Sequence, residues 1–469
     1  MNSSRNGCLG LPIEIIACII IQAAGEWPSA CDRTHENYGQ APAVTDLDVA
    51  EECQQIWRDV HLRSTLLVRV CRLWHTLITP HRFEILLAAS SDRRLYSTLI
   101  DLYPQYKTKR NLVKRLIIDA RIRMKIPVVE VVSTLCRFLN ELPRRHIDHT
   151  LTHLTITGNS SEHIPWKSII GHIGKMQALQ TIGLGDLPLM ISTVPAPRII
   201  PILPHLSTLD IQFSDSVGHD DTALVPTLET LTTALNLPVL RRIRLRDLPM
   251  PLNAQSIHMN LSFFHSTLTF IDVQVGITLL PPSPFLQRLN TPNTTESFPA
   301  LTHFDISLPL DTTDLRDVLV CTDPETLAIN YVNRLWEWIE VDEDGIILPM
   351  VPYAEVDFDD LFGDVFKAVH DVRKRKDVES SLKTIIIGDM QPSLRMPIRA
   401  DSYWTALSGI FEHWTAQFRL LGITVLARRS RNQPLQSLSD SLSDIIAQEK
   451  SRNSTLGSSE HLDAVEEDD

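Results

Sequence analysis

An apolar residue, a second one three positions later and a third two after that: this pattern recurs along most of the chain. It reads Val113-x-x-Leu116-x-Ile118, Leu151-x-x-Leu154-x-Ile156, Leu179-x-x-Ile182-x-Leu184 and Leu206-x-x-Leu209-x-Ile211. It continues as Leu240-x-x-Ile243-x-Leu245, Leu268-x-x-Ile271-x-Val273, Leu301-x-x-Phe304-x-Ile306 and Leu382-x-x-Ile385-x-Ile387, with a weak copy holding only Leu327 and Ile329. From Leu151 to Leu301 the starts lie roughly 27–34 residues apart, the spacing of a stacked array. The last three positions alternate, so each unit predicts one short strand with its second and third apolar residues on one face. Stacking such strands builds a continuous core, a solenoid with a parallel sheet.

Helical spacing appears at both ends. Near the N-terminus, Leu11, Ile15, Ile16, Ile19 and Ile20 form one apolar stripe, and Pro12 suits a first helical turn, where its missing N–H is not needed. A second stripe, Leu66, Val70, Leu73, Trp74 and Leu77, predicts a helix over 66–78, and 80–103 reads as helical up to Pro104. Segments such as 165–176 and 224–236 are expected on the convex side of the array. The regularity fails over 331–380, where Trp336, Trp338 and an acidic run precede a helix expected over 357–373. A helix over 401–421, carrying Trp404, Leu407, Ile410, Phe411, Trp414 and Phe418 on one side, ends at Gly422 and leads to a last strand over 423–426. Such a pair would cap the array. Beyond residue 430 the chain is serine-rich and acidic, and disorder is expected there apart from a short helix near 442–446.

Two pieces of the N-terminal region, Leu11-Pro12-x-Glu14-Ile15 and Val70-Cys71-x-x-Trp74, resemble an F-box, the helical module that docks proteins onto Skp–cullin ubiquitin ligases. The recurring units resemble leucine-rich repeats of irregular length; Asn159 stands in the asparagine position of that family in the Leu151 unit alone. The F-box resemblance spans residue 11 to about 83 but is interrupted by a polar stretch rich in Asp and Glu. The expected organisation is therefore an F-box-like module at 1–24 and 58–90, a polar insertion at 25–57 and a leucine-rich-repeat-like solenoid at 105–330. An irregular insertion at 331–380, a final repeat and cap at 381–429 and a tail at 430–469 complete it. The resemblance implies an α/β adaptor whose partners are a Skp-type subunit with its cullin ligase and a protein substrate. Leu11, Pro12, Ile15, Val70, Cys71 and Trp74 would then hold the ligase side, and protein ubiquitination would be carried out by the partner machinery. A repeat scaffold with no ligase partner, its first helices merely capping the solenoid, is the rival expectation.

Composition narrows this further. The chain has 469 residues, is 43% hydrophobic and carries a net charge of −13, which argues against global disorder and against a nucleic-acid-coating surface. Seven scattered cysteines without a Cys-x-x-Cys fit reduced thiols in the cytoplasm or nucleus. The apolar run that ends at Ala23-Ala24-Gly25 imitates a secretory signal, but Pro12 and Glu14 interrupt it. No apolar segment approaches the roughly 20 residues that span a bilayer, so no membrane partner is expected.

Nor does the sequence carry a catalytic constellation. There is no Gly-x-Ser-x-Gly, Walker loop or His-Glu-x-x-His, and Gly183-Leu184-Gly185 lacks the third glycine of a dinucleotide loop. His146, His149 and His153 straddle the start of a strand and neighbour Arg144 and Arg145, which disfavours a metal site. Asp357, Asp359, Asp360 and Asp364 fit a helix start better than a calcium loop. No cofactor or metal is expected. The residues between core positions are more informative, because they should face outward on the strands. Asp210, Arg244, Asp272 and Asp305 fall in the middle outward position of successive units, and Arg242 and Arg246 flank Arg244. Arg244 would sit between Asp210 and Asp272, leaving Arg242 and Arg246 to recognise an acidic or phosphorylated target.

Overall fold

The computed structural model describes residues 13–24, 54–89, 114–119, 151–157, 173–185, 202–212, 235–248, 264, 266–275, 298–307, 312–330, 363–374, 380–388, 401–428 and 435–459. The chain is mixed α/β, with strands that pair in parallel except at the last one. It divides into two compact units, Met1–Met250 with Gly276–Ser283 and Pro251–Val275 with Pro284–Asp469.

In the first unit, helices α1 (Ile13–Ala24), α2 (Gln54–Leu67) and α3 (Arg72–Glu84) lead directly into strand β1 (Ile85–Ala89). Strands β2 (Arg115–Asp119), β3 (His153–Thr157), β4 (Thr181–Gly185), β5 (Thr208–Gln212) and β6 (Arg242–Leu248) follow. Parallel register places Leu86, Leu116, Leu154, Ile182, Leu209 and Ile243 side by side, and Ala88, Ile118, Ile156, Leu184, Ile211 and Leu245 in the next column. These are the second and third apolar positions of the sequence pattern. Of the twelve, those from Leu154 to Leu245, together with Leu116, are buried. Each buried Leu or Ile contributes about 1.5–3 kcal/mol of transfer free energy, so the columns are the core.

The second unit repeats the arrangement with β7 (Phe270–Val275), β8 (His303–Ser307), helix α4 (Thr312–Thr322), β9 (Thr326–Asn330), α5 (Asp364–Lys374) and β10 (Thr384–Gly388). Helix α6 (Asp401–Leu420), β11 (Thr424–Ala427), the antiparallel β12 (Gln436–Ser437) and helix α7 (Leu438–Ser459) close it. Here the columns are Ile271, Phe304, Leu327, Ile385, Val425 and Val273, Ile306, Ile329, Ile387, Ala427. The weak Leu327 unit is completed by Pro324, which is buried in the first apolar slot.

A turn leading into the strands explains the first slot. The N–H of Leu206, Leu240 and Leu301 donates to the carbonyl of Leu203, Leu237 and Phe298, at 3.4, 3.3 and 3.0 Å. Pro204, Pro238 and Pro299 stand second in these four-residue turns, where a fixed φ near −65° favours the bend. The repeat is thus longer than the sequence pattern: an apolar residue, commonly followed by proline, three positions before the first leucine. Leu203, Leu237 and Phe298 are buried with the core.

Several expectations are corrected. The helix read over 80–103 stops at Glu84, and Ile85–Ala89 is a strand that pairs with β2. The alanine in its third core position hid that unit within a helix-compatible stretch. The continuous helix over 66–78 is broken after Leu67: Val68, Arg69 and Val70 form a tight turn through N–H bonds to Ser64, Leu66 and Leu67. The last four residues of the polar insertion, 54–57, belong to α2; the rest of it lies outside the described residues. Helix α5 starts at Asp364, whereas Asp357, Asp359, Asp360 and the segment with Trp336 and Trp338 lie outside the description. Helix α6 and β11 match their expected ranges to within a residue or so, and Gly422 ends the helix at φ +74°, a conformation glycine adopts without strain. The tail expected to be disordered contains β12 and the whole of α7. Leu438, Leu442 and Ile445, at helical spacing among polar residues, are buried there, and Ser437 Oγ accepts the N–H of Asp440 at the helix start.

Candidate functional sites

The N-terminal module has its own core. Ile16, Ile20 and Ala24 of α1 and Ile78 of α3 are buried together, with Ile21, Leu67, Val68, Trp74 and Leu77 packed against them. Trp74 is therefore a packing residue of the three-helix unit. Cys71 starts α3, its carbonyl accepting the N–H of His75 at 2.9 Å, and its thiol is exposed. The threonines of α3 bond back within the helix, Thr76 Oγ1 to the carbonyl of Arg72 and Thr79 Oγ1 to that of His75.

Helical geometry divides the apolar stripe of α1 in two. Ile16, Ile20 and Ala24 face inward, whereas Ile15 and Ile19 are 48% and 49% exposed and Ile13 41%. On α2, Leu62 and Leu66 form a second outward pair at i, i+4, and Val70 follows in the turn, 59% exposed. Six of the nine large apolar residues exposed among the described residues thus lie in this one module. Arg63, Arg69, Arg72 and His75 are exposed among them. Of the residues expected to hold a ligase partner, Ile15, Val70 and Cys71 face solvent, Trp74 faces the module's interior, and Leu11 and Pro12 lie outside the described residues. The sequence reading misses Leu62 and Leu66 as an outward pair, because it joins Leu66 to the residues of α3 rather than to α2.

The second candidate site, the polar face of the strands, differs from its expectation. Asp210, Arg244, Arg246, Asp272 and Asp305 are all buried, not exposed on an open concave surface. Arg246 is fully matched: its Nε and Nη2 donate to Asp210 Oδ1 and Oδ2 at 3.0 and 2.6 Å, a two-pronged ion pair reaching diagonally from β6 to β5. Arg244 Nη1 stands 3.9 Å from the same carboxylate. Arg242 is half-buried, beside Thr208 in register. Arg246 therefore loses the role of an exposed target-reading cation, whereas Arg244 has Asp210 as a neighbour, as expected, though on a buried face. Asp272 belongs to the second unit, where its register neighbour is Asp305.

A corresponding buried network spans the second unit. Arg428, just after β11, donates from Nη2 to Asn330 Oδ1 at 2.7 Å and lies 3.9 Å from Asp305 Oδ2, while Asn330 Nδ2 approaches the same Oδ2 at 3.5 Å. The arginine crosses β10 at Gly388. A Cβ there would fall 2.0 Å from Asn330 Oδ1, so only glycine admits the bridge. Sequence reasoning missed Arg428 and Gly388, which lie one residue beyond β11 and at the end of β10.

Helices α5 and α6 meet through aromatic rings: Phe366 lies 5.8–6.0 Å from Phe411, Trp414 and Phe418, and His370 5.8 Å from Trp414. Burial, with a smaller effect from Lys374, holds the His370 imidazole below the ordinary histidine value, against the opposing pull of Asp371. His153 Nδ1 pairs with Thr152 Oγ1 at 2.8 Å, while His146 and His149 lie outside the described residues. Among the described residues no cluster of His, Cys, Asp or Glu could hold a metal ion, and no helix is long and apolar enough to cross a membrane. No family model matches the chain, and a search of curated proteins returns no match.

Proposed function

We propose that the chain is a non-enzymatic adaptor: α1–α3, an F-box-like module, docks a Skp-type subunit, and the leucine-rich-repeat-like strands with their connections present a protein target for ubiquitination. The observation that carries the reading is the division of labour within α1–α3. The module satisfies its own packing through Ile16, Ile20, Ala24 and Ile78, yet keeps Ile13, Ile15, Ile19, Leu62, Leu66 and Val70 in water. Exposed apolar residues grouped on one small module mark an interaction surface more often than chance scatter does. The aliphatic stems of Arg63, Arg69 and Arg72 would extend such a contact while their charged ends stay at its rim.

Co-expression with a Skp-type adaptor followed by co-purification tests the reading. Wild type is expected to be captured, and the variant Ile15→Asp with Leu66→Asp to be lost while it remains folded. A folded wild-type chain that is not captured would overturn the ligase role and leave an interaction scaffold.

A further inference from the structure

Helix α6 has a second face. Its inner side packs on Phe366 through Phe411, Trp414 and Phe418. On the opposite side Gly409, Glu412, His413, Ala416, Arg419 and Leu420 are exposed, and at 3.6 residues per turn these six fall within about 120° of arc. Leu420 is the most exposed of the large apolar residues described, at 81%. Gly409 stands inside the helix, where glycine is less favourable than alanine. A Cβ there would meet nothing within 4 Å, so packing within the chain does not call for a glycine. Glu412 and Arg419 share one edge of the face, two turns and roughly 10 Å apart along the axis. That is too far for a pair within the helix, and no opposite charge stands three or four residues from either.

We propose that this face of α6 docks on the same face of a second copy of the chain, the two helices antiparallel about a two-fold axis. Charge complementarity selects the occupant, because the order of these residues is self-complementary. With the axis level with the midpoint of Thr415 and Ala416, Glu412 of each copy stands opposite Arg419 of the other, so one contact is made twice. The same axis sets each Leu420 level with Phe411 of the other copy, over the gap between Gly409 and His413. Gly409 and Ala416 let the helix axes approach to about 8 Å, the short end of helix spacing. A parallel pair about a two-fold would set Glu412 against Glu412 and Arg419 against Arg419, which like-charge repulsion opposes. One helix face is a narrow interface, and the dimer is accordingly weak and concentration-dependent. The proposal goes beyond docking by α1–α3 and does not depend on it.

Sedimentation equilibrium of the full chain, without any added partner, tests the proposal over about 10–500 µM, the range of a weak dimer. The mass of the wild type is expected to rise from one chain toward two. Glu412→Arg alone and Arg419→Glu alone should each weaken the dimer by about tenfold or more, since either places like charges opposite each other at both contacts. The double variant Glu412→Arg with Arg419→Glu restores opposite charges and should regain the dimer. An equimolar mixture of the two single variants should regain it as well, as heterodimers. The double variant and the mixture separate a lost contact from a damaged fold, and circular dichroism of each variant checks the helix. A wild type that stays one chain throughout, or a dimer that neither single change weakens, would overturn the proposal. So would single variants that neither the double change nor mixing rescues. Loss of the dimer in Ile15→Asp with Leu66→Asp, with the α6 variants unaffected, would place the interface on α1–α3 and overturn it too.

Discussion

The helices at the two ends of the chain treat apolar side chains in opposite ways. At the C-terminal end, α6 and α7 bury Phe411, Phe418, Leu438, Leu442 and Ile445, and Leu420 is the one large apolar residue described there as exposed. That is what a cap does: its apolar face is spent on closing the sheet beneath it. At the N-terminal end, α1–α3 bury one set of aliphatic residues and leave a second set, of similar size, in water. A module whose role was only to end the array would have no use for the second set, whose exposure invites association. The comparison therefore favours a partner for the N-terminal helices, and it can be broken at either end.

The largest expected effects come from the buried sets. Phe418→Ala should destabilise the second unit by about 3–5 kcal/mol, and Ile16→Ala the N-terminal module by about 2–5 kcal/mol, both read by denaturant unfolding. Gly388→Ala should cost about 1–3 kcal/mol, because its Cβ must displace Asn330 and with it the reach of Arg428 toward Asp305. A smaller effect is expected from pH. The folded His370 holds its proton less tightly than the unfolded chain does, so stability is complete above the ordinary histidine range and declines as pH falls through it. His370→Phe should flatten that decline, monitored by thermal unfolding between about pH 7.5 and 5. The smallest effect on stability belongs to Ile15→Ser with Leu66→Ser, within about 0.5 kcal/mol. If that pair proved as costly as Ile16→Ala, the outward residues would be part of a core and the contrast between the two ends would collapse.

The strand units were legible because each places three apolar residues at a fixed spacing and the copies repeat it. Even so, the unit Phe83-x-x-Leu86-x-Ala88 escaped, since alanine in the last slot is equally at home in a helix. The turn proline at Pro204, Pro238 and Pro299 was visible in the letters but had no meaning until the bond it serves was seen. The helix over 66–78 failed for a different reason. Periodicity across Leu66, Val70 and Leu73 is satisfied by chance when a turn of about one helical pitch joins two helices.

Alternation also identified which residues share a strand face, and Asp210, Arg244 and Asp305 do lie off the core columns. What it could not assign was exposure. Period-two patterning reports the face of a residue, not what else in the chain packs over that face, so Asp210 and Arg246, expected in water, are buried as an ion pair.

The sequence by itself determined the strands β2 to β11, their parallel register and the core columns, because these follow from side-chain spacing and from the near-identity of successive units. Tertiary structure alone decided the rest: the division into two units, the inward turn of Arg246 onto Asp210, the passage of Arg428 over Gly388 and the split of the α1 stripe into buried and exposed halves. Each of these depends on contacts between residues far apart in the chain, and local periodicity carries no information about which distant surface will arrive.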